Sequence, residues 1–497
     1  MRKFVYNIAI AAGILLGVSS CDGFLDKMPT DSVVSEIAMA TIDDAKIAVN
    51  GLYTDLKYYT MYGTYMICMG DMRADNLYPR EINGSWSAMY NHDFTATQNT
   101  YFGLWQNYYN IIMRANSIIA NIETIPVSTT SDEAIKNDIL GQAYAVRALC
   151  YFDLARLYGY PYLKDNGASL GAVILPHDNG KGGVIAAEEA KELKRGTVAE
   201  TYAQAFKDVE EALKVISDDE NTGHFNYWAA RMLQGKMALY KGDYDLAFEA
   251  NEDVIKNSPY SLVPNGKYLE YWGTEGSEES VLELLVRTEG NIDGDMGFNT
   301  IFHSLWFDDK GAGRSVIPSK KYIDLFASTP DDVRAKMLVP NDPDVSQIKN
   351  DDCLWLKKWI GNKDMGYTFR MNNPRIFRIT DAYLMAAEAA LHLGSKQADA
   401  DKYLNAVRKR ADVTATDVTA TLDLVAQERH KEFIGEGHRF FDVMRTGGEI
   451  VRDASVDPRD HAGSPREVIT WDTHTVVLPI SESEQSVYPN LQQNPGY

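Results

Sequence analysis

The sequence predicts a mainly α-helical protein built of helical hairpins, with long irregular segments between them and little β structure. Three observations carry this. Apolar residues recur at helical spacing through Tyr101–Ile125 and Asp132–Tyr158. One hairpin-like spacing occurs between Tyr227 and Asn257 and returns, more loosely, between Asp381 and Ala411. The stretches between these blocks have no helical period but hold many aromatic residues.

The elements follow in order. Phe102, Trp105, Tyr109, Ile112, Ala115, Ile119 and Ile122 form one stripe, and Pro126 stops the helix. Asp132–Tyr158 continues as a second helix, with Ser131 as its expected cap and Gly159 and Pro161 as its end. The two should pair antiparallel. Thr197 to Ile216 opens with a Thr-x-x-Glu capping box at Thr197 and Glu200. In Tyr227–Asn257, small residues at Gly235 and Ala238 let two helices cross closely. Gly242-Asp243-Tyr244 makes the turn, and Ala247 receives the first helix, which is the spacing of a tetratricopeptide-type hairpin. Ala387, Ala390, Gly394, Leu404 and Val407 give the looser copy. The helical hairpins are thus expected over about 101–260 and 378–445, with short β stretches near Ser280–Val286 and Thr475–Ile480.

Met69–Asn99, Leu163–Glu188 and Glu289–Ser319 are long and aperiodic. Trp86, Tyr90, Phe298, Trp306 and Phe307 lie in them, an aromatic supply that disordered segments lack, so ordered binding loops are expected over about 69–99 and 289–319.

Residues 1–20 read as a targeting segment. Arg2 and Lys3 are followed by an apolar stretch from Ile8 to Val18, too short for a spanning helix, and then by Val18-Ser19-Ser20-Cys21. A cysteine directly after small residues resembles a bacterial lipobox, which makes Cys21 the expected lipid anchor. Three acyl tails at roughly 0.8 kcal/mol per buried methylene hold far more firmly than reversible membrane binding requires. Residues 21–497 are then one large domain. Its formal charge moves from −21 to −23 once the two cations of the leader are removed. That charge repels phosphate backbones and argues against nucleic-acid partners. Cys68, Cys150 and Cys353 are odd in number and form no C-x-x-C pair, so buried free thiols are expected.

Five motifs along the chain belong together. Cys21-Asp22-Gly23-Phe24-Leu25-Asp26 with Pro29 and Asp31 follows the cysteine. Arg147-Ala148-Leu149 and Tyr151-Phe152-Asp153-Leu154, running to Gly159, end a helix. Arg378 with Asp381 through Ala389, then Leu404-Asn405-Ala406-Val407-Arg408, cover a helix pair. Glu428-Arg429-His430-Lys431-Glu432-Phe433 through Glu436-Gly437-His438-Arg439-Phe440-Phe441-Asp442 to Arg445 is the longest, and Leu478-Pro479-Ile480 through Asn494-Pro495-Gly496-Tyr497 closes the chain. In this order they resemble the SusD/RagB family of outer-membrane nutrient-binding lipoproteins of the Bacteroidetes, and the Glu428–Arg445 stretch is the fullest match. The resemblance implies one SusD-like domain on tetratricopeptide-like hairpins. It also implies an outer-membrane location facing the cell exterior and a SusC-like, TonB-dependent transporter as partner. An oligosaccharide or polysaccharide is the ligand it implies first, with a peptide as the alternative.

The residues supply their own candidates. A sugar ring stacks its apolar face on an aromatic side chain while polar neighbours bond its edge. Tyr78, Arg80, Asn83, Trp86 and Tyr90 have that mixture in one short segment, and Trp306, near Asp308 and Asp309, offers a second wall. No cofactor is expected. Asp71, Asp75 and Asn76, with Asp293, Asp295, Asp308 and Asp309, are candidate oxygen ligands for a structural calcium ion, although their spacing matches no calcium loop. A surface glycosidase is the enzymatic alternative, but any chain this acidic offers carboxylate pairs, so their presence is uninformative. The acidic and histidine-bearing stretch Glu428–Arg445, expected as one helix, has no H-E-x-x-H pattern. Its Glu432, Arg439 and Asp442 are better read as ion pairs that fix the helix on its neighbours.

Overall fold

Seven helices stand in a row, and their order follows from local sequence. The computed structural model describes residues 39–58, 60–79, 85–97, 103–176, 189, 191–286, 316–340, 354–365, 372–452 and 468–497. Within these, Gly103–Asn121 packs on Thr130–Tyr158, which packs on Val198–Val215. Tyr227–Lys241, Tyr244–Asn257, Ile379–Leu393 and Gln397–Ala411 follow, each against its predecessor. The helix Ile42–Leu56, capped by a Thr41–Asp44 box, lies across the first two. None of the described helices is long and apolar enough to cross a membrane.

The Tyr227–Asn257 hairpin forms as its spacing predicts. Gly242 takes φ +83°, which a glycine adopts without strain, and the Asp243 side chain then caps the second helix through the Leu246 amide. Gly235 marks the closest crossing, because a Cβ there would lie 2.5 Å from Asn251 Nδ2. In the second hairpin Gly394 turns the chain at φ +68°. Its first helix begins at Ile379, directly after a strand, and buries Ala382, Ala386, Ala387, Ala389 and Ala390 completely, so small residues set the helix spacing there. The Thr197–Glu200 capping box is present as expected.

Thr130–Tyr158 runs 29 residues, and its second half is buried nearly all round, from Gly141 to Ala155. It is the central post of the fold. Arg147 inside it donates to Asp208 Oδ2 at 2.8 Å and to Asn116 Oδ1 at 2.6 Å, joining three helices through one buried guanidinium. Cys68 and Cys150 are buried and free; Cys353 lies outside the described residues.

Four expectations need correction. Thr129, not Ser131, caps the long helix, because the helix begins two residues earlier, at Thr130, and the cap bonds the Asp132 amide. Glu428–Arg445 is not one helix. Leu422–Glu432 and Arg439–Arg445 are separated by a turn in which Gly435 and Gly437 take φ +76° and +81°. Thr475–Ile480 forms no strand. His474–Val476 is a 3₁₀ turn whose Thr475 and Val476 carbonyls accept from Arg73 Nη2 instead of from a ladder. Met69–Asn99 is not aperiodic throughout: the helix Tyr65–Asp71 ends in it, and the strand Leu77–Pro79 and the helix Ser85–Tyr90 lie within it.

Strands among the described residues occur only as antiparallel pairs. Ser280–Glu283 pairs with Arg375–Arg378, as the Ser280 expectation required of one partner. Leu338–Pro340 pairs with Leu354–Leu356, Ile450–Val451 with Val468–Ile469, and Leu77–Pro79 with Val316–Pro318.

Candidate functional site

The Leu77–Pro79 pairing with Val316–Pro318 brings together the two segments that the sequence marks as binding loops. Leu77 faces Pro318, Tyr78 faces Ile317, and Pro79 faces Val316. Pro79 and Pro318 sit at non-hydrogen-bonded positions, so their missing N–H groups cost the ladder no bond. Both candidate segments therefore leave one small ladder: residues 80 onward follow Pro79, and residues up to 315 precede Val316.

A ladder of three pairs is marginal by itself, and the structure supports its base. The Ser319 amide donates to the Asn76 carbonyl at 2.7 Å, and Ser319 Oγ donates to the Asp75 carbonyl at 2.6 Å. Ser319 Oγ also accepts from the Tyr322 amide, capping the helix Lys320–Asp324. Asp75 accepts from Arg439 at 2.8 and 3.1 Å and from Lys321 at 2.7 Å. Burial by itself raises the Asp75 carboxyl, but the charges of Arg439 and Lys321 hold it well below the usual carboxylate range. Ser319 and Lys321 were not singled out from the sequence. A serine just before a short polar helix is a cap signal that would have found the first.

The predicted site residues divide. Tyr78 lies in the ladder. Trp86 stands at the start of Ser85–Tyr90, half-buried against the core. Tyr90 is a correction. It is only 2 % exposed, Arg452 lies 3.6 Å over its ring, and its carbonyl accepts from Arg452 Nη1. Its face is used inside the protein and cannot stack on a ligand. Arg80, Asn83, Trp306 and Cys21 lie outside the described residues.

The calcium candidates that lie among the described residues bond within the protein. Asp71 accepts from Asn76 Nδ2 and from the Gly437 amide, both at 2.8 Å, and Asp75 is held by Arg439 and Lys321. These carboxylates bind the protein to itself. Asp293, Asp295, Asp308 and Asp309 lie outside the described residues, and among the described ones no group of three His, Cys, Asp or Glu could hold a metal ion.

The acidic motif is an ion-pair core, as its residue types suggested. Glu432 meets Arg334, Arg378 and Arg410 at 2.9–3.0 Å and accepts from Tyr268 OH at 3.1 Å. Glu436 pairs with Arg378 and with Lys358, whose ammonium also donates to the Glu432 and Ile434 carbonyls. Burial pulls that lysine down to about 8. Asp442 lies between Arg429 and Arg445, and Asp381 between Arg429 and Lys236. Each of these carboxylates is engaged by cations, and all but the partly exposed Asp442 are buried, so they serve as ion-pair partners of the scaffold.

The same burial sets a pH dependence. Burial, and next the charge of Arg439 beside His430 and of Lys236 beside His438, pushes both imidazoles down to about 3; burial lowers His92 as well. The unfolded chain protonates these groups as pH falls through about 6.5, whereas the folded chain does not. Their contribution is thus complete above pH 6.5 and is lost as pH falls toward 3, at about 1.4 kcal/mol per proton and pH unit. Asp71 works the other way: burial raises its carboxyl to about 7, so its contribution is present below its usual 3.8 and is lost as pH rises toward 7. His224 and His392 are also lowered by burial, and Asp55, Asp208 and Glu484 raised by it. The imidazoles of His430, His438 and His92 carry the largest shifts across this window, so the urea midpoint is expected to fall between pH 7 and pH 4.5. A midpoint that holds or rises over that interval contradicts the assignment of neutral histidines.

Comparison with known proteins adds a family context. The model of the SusD family matches residues 308–497, and a model described as starch-binding, associating with outer membrane, matches residues 23–239. The chain is 24 % identical to SusD-like protein P25 of Formosa agariphila, over 99 % of both chains. It is similar to the crystal structure of a SusD superfamily protein from Bacteroides vulgatus, at 32 % identity and a TM-score of 0.80, covering 92 % of this chain and 99 % of that one. It also shares the fold of surface glycan-binding protein A from Bacteroides thetaiotaomicron, solved in complex with laminarihexaose, at 24 % identity and a TM-score of 0.72 over 91 % of this chain and 99 % of that one.

Proposed function

The chain belongs to the SusD family, and on that premise we propose that it is a cell-surface lipoprotein that binds an oligo- or polysaccharide without cleaving it. Cys21 anchors it to the outer membrane, and it hands its ligand to a SusC-like, TonB-dependent transporter. The observation that carries the binding reading is the shared ladder: two aromatic-bearing segments, distant in sequence, depart from one braced base. Aromatic side chains carried on such a base suit a ligand with apolar ring faces, and relatives of the same fold include one that holds laminarihexaose. The acidic residues of the Glu428–Arg445 stretch serve the scaffold, which leaves binding as the work of the loops.

Each aromatic platform is worth about 0.5–1.5 kcal/mol beyond its buried area. Trp86→Ala and Trp306→Ala are therefore each expected to weaken glycan binding by roughly 10-fold, measured by calorimetry on the wild-type ligand. Wild-type affinity in both variants would remove these residues from the site. Cys21→Ala should shift the protein from the membrane fraction to the soluble one, and a membrane pull-down should recover a transporter of the TonB-dependent type.

A further inference from the structure

We infer that the cavity between Arg156, Lys236, Arg375 and His438 is a binding site for one small monovalent anion, chloride in size, which joins the helical row to the ion-pair core. The cavity measures about 30 Å³. A water molecule needs about 10–15 Å³ on that scale, so one or two small species fit and a sugar ring does not. Four elements supply its walls. Arg156 comes from the central post Thr130–Tyr158, Lys236 from Tyr227–Lys241, Arg375 from the strand Arg375–Arg378, and His438 from the turn before Arg439–Arg445. Glu436 and Tyr62 are the other polar side chains that line it.

At this cavity the acceptors are spent and the donors are not. The Glu436 carboxylate already accepts two bonds from Arg378 and one from Lys358. Tyr62 commits its O–H to Asp153 at 2.6 Å. Among the described residues Lys236 makes one hydrogen bond, to Asp381 at 3.1 Å, from an ammonium with three protons. Arg156 Nε is buried with no hydrogen-bond partner. His438 Nδ1 lies 3.4 Å from Arg429 Nη2, which can only donate, so the proton of the neutral imidazole sits on Nε2. A water molecule needs acceptors for its own protons, whereas an anion needs only donors. The local charge agrees. Burial and the charges of Lys236 and Arg429 push His438 down to about 3 against the opposing charge of Asp381. Burial, with Arg156 and Arg429, lowers Lys236 against the same carboxylate. Further positive charge is disfavoured here, and a negative ion relieves it.

The experiment follows thermal unfolding of the mature chain in sodium chloride, sodium bromide and sodium gluconate at equal ionic strength, about 200 mM. It also locates bromide by anomalous scattering in crystals grown with sodium bromide. Gluconate is too large for the cavity. Expected are a Tm about 3 °C higher in either halide than in gluconate, and a bromide peak within hydrogen-bond reach of Lys236 Nζ and His438 Nε2. His438→Phe keeps a ring to stack on Phe433 but removes the donor, and should cut the difference between salts to below about 1 °C. Equal Tm in the three salts overturns the inference. So does a cavity that holds only water in the bromide crystals, or a His438→Phe protein that keeps the full difference. If that variant does not fold, the wild-type salt comparison and the bromide map decide by themselves.

Discussion

Replacing Glu432 with alanine is expected to destabilise the fold by about 3–5 kcal/mol, as breaking one partner out of a buried charge cluster does. The carboxylate is fully buried and faces three guanidiniums, those of Arg334, Arg378 and Arg410. Burial by itself would raise its protonation range, but the charges of Arg410, Arg378, Arg334 and Lys358 together drive it well below. Alanine removes the negative charge and leaves the cations facing one another, with Glu279, Glu428, Glu436 and Asp332 as their remaining counterions. The Tyr268 hydroxyl loses its acceptor as well. Urea unfolding measures the loss, and Glu432→Gln, which keeps the shape and one acceptor, should lose less than alanine does. A drop below about 1 kcal/mol for the alanine variant would mean that the cluster is not what holds Leu422–Glu432 against the Arg375–Arg378 strand.

Gly70→Ala should cost at least as much as ordinary overpacking, about 3 kcal/mol or more. A Cβ at position 70 would stand 1.8 Å from the Gly437 carbonyl oxygen and 2.0 Å from its carbon. Those are backbone atoms, so no side chain can swing aside. Either the Tyr65–Asp71 helix or the 433–438 turn must move, and either motion breaks the bond from the Gly437 amide to Asp71 Oδ2. Gly394→Ala is the comparison: nothing lies within 4 Å of the added carbon, and only the φ of +68° resists it, at about 1–2 kcal/mol. Equal losses in the two variants would show that the Gly70–Gly437 approach is looser than the structure has it. Because residues 71–76 follow directly into the ladder, the Gly70 variant should also weaken ligand binding, which the Gly394 variant should spare.

The sequence and the structure agree where the cause is local. Gly242 and Gly394 ended their helices, Thr197 and Glu200 capped theirs, and of the stripe Trp105, Ile112, Ala115 and Ile119 are buried and Tyr109 partly so. They part where the cause is distant. The residues of 428–445 keep enough helical character to read as one segment, and only the contact of Gly437 with Gly70 explains why the chain turns between them. Nothing near Tyr90 in sequence announces Arg452, which takes its ring. The pairing of Leu77–Pro79 with Val316–Pro318 spans more than two hundred residues, and neither strand alternates for long enough to declare itself. For the candidate site, the sequence supplied Trp86 and the two loop regions as candidates, while the ladder that joins Leu77–Pro79 to Val316–Pro318 came only from the fold. Arg80, Asn83 and Trp306 stay as sequence-based candidates.

The most direct test is a titration of the purified, untagged mature chain with a panel of oligosaccharides and peptides, coupled to chromatography of each mixture afterwards. Saturable heat with at least one glycan, none with the peptides, and unaltered ligand recovered at the end is the predicted result. Saturable heat with peptides alone, or shorter sugars in the recovered mixture, would contradict a glycan-binding, non-hydrolysing protein.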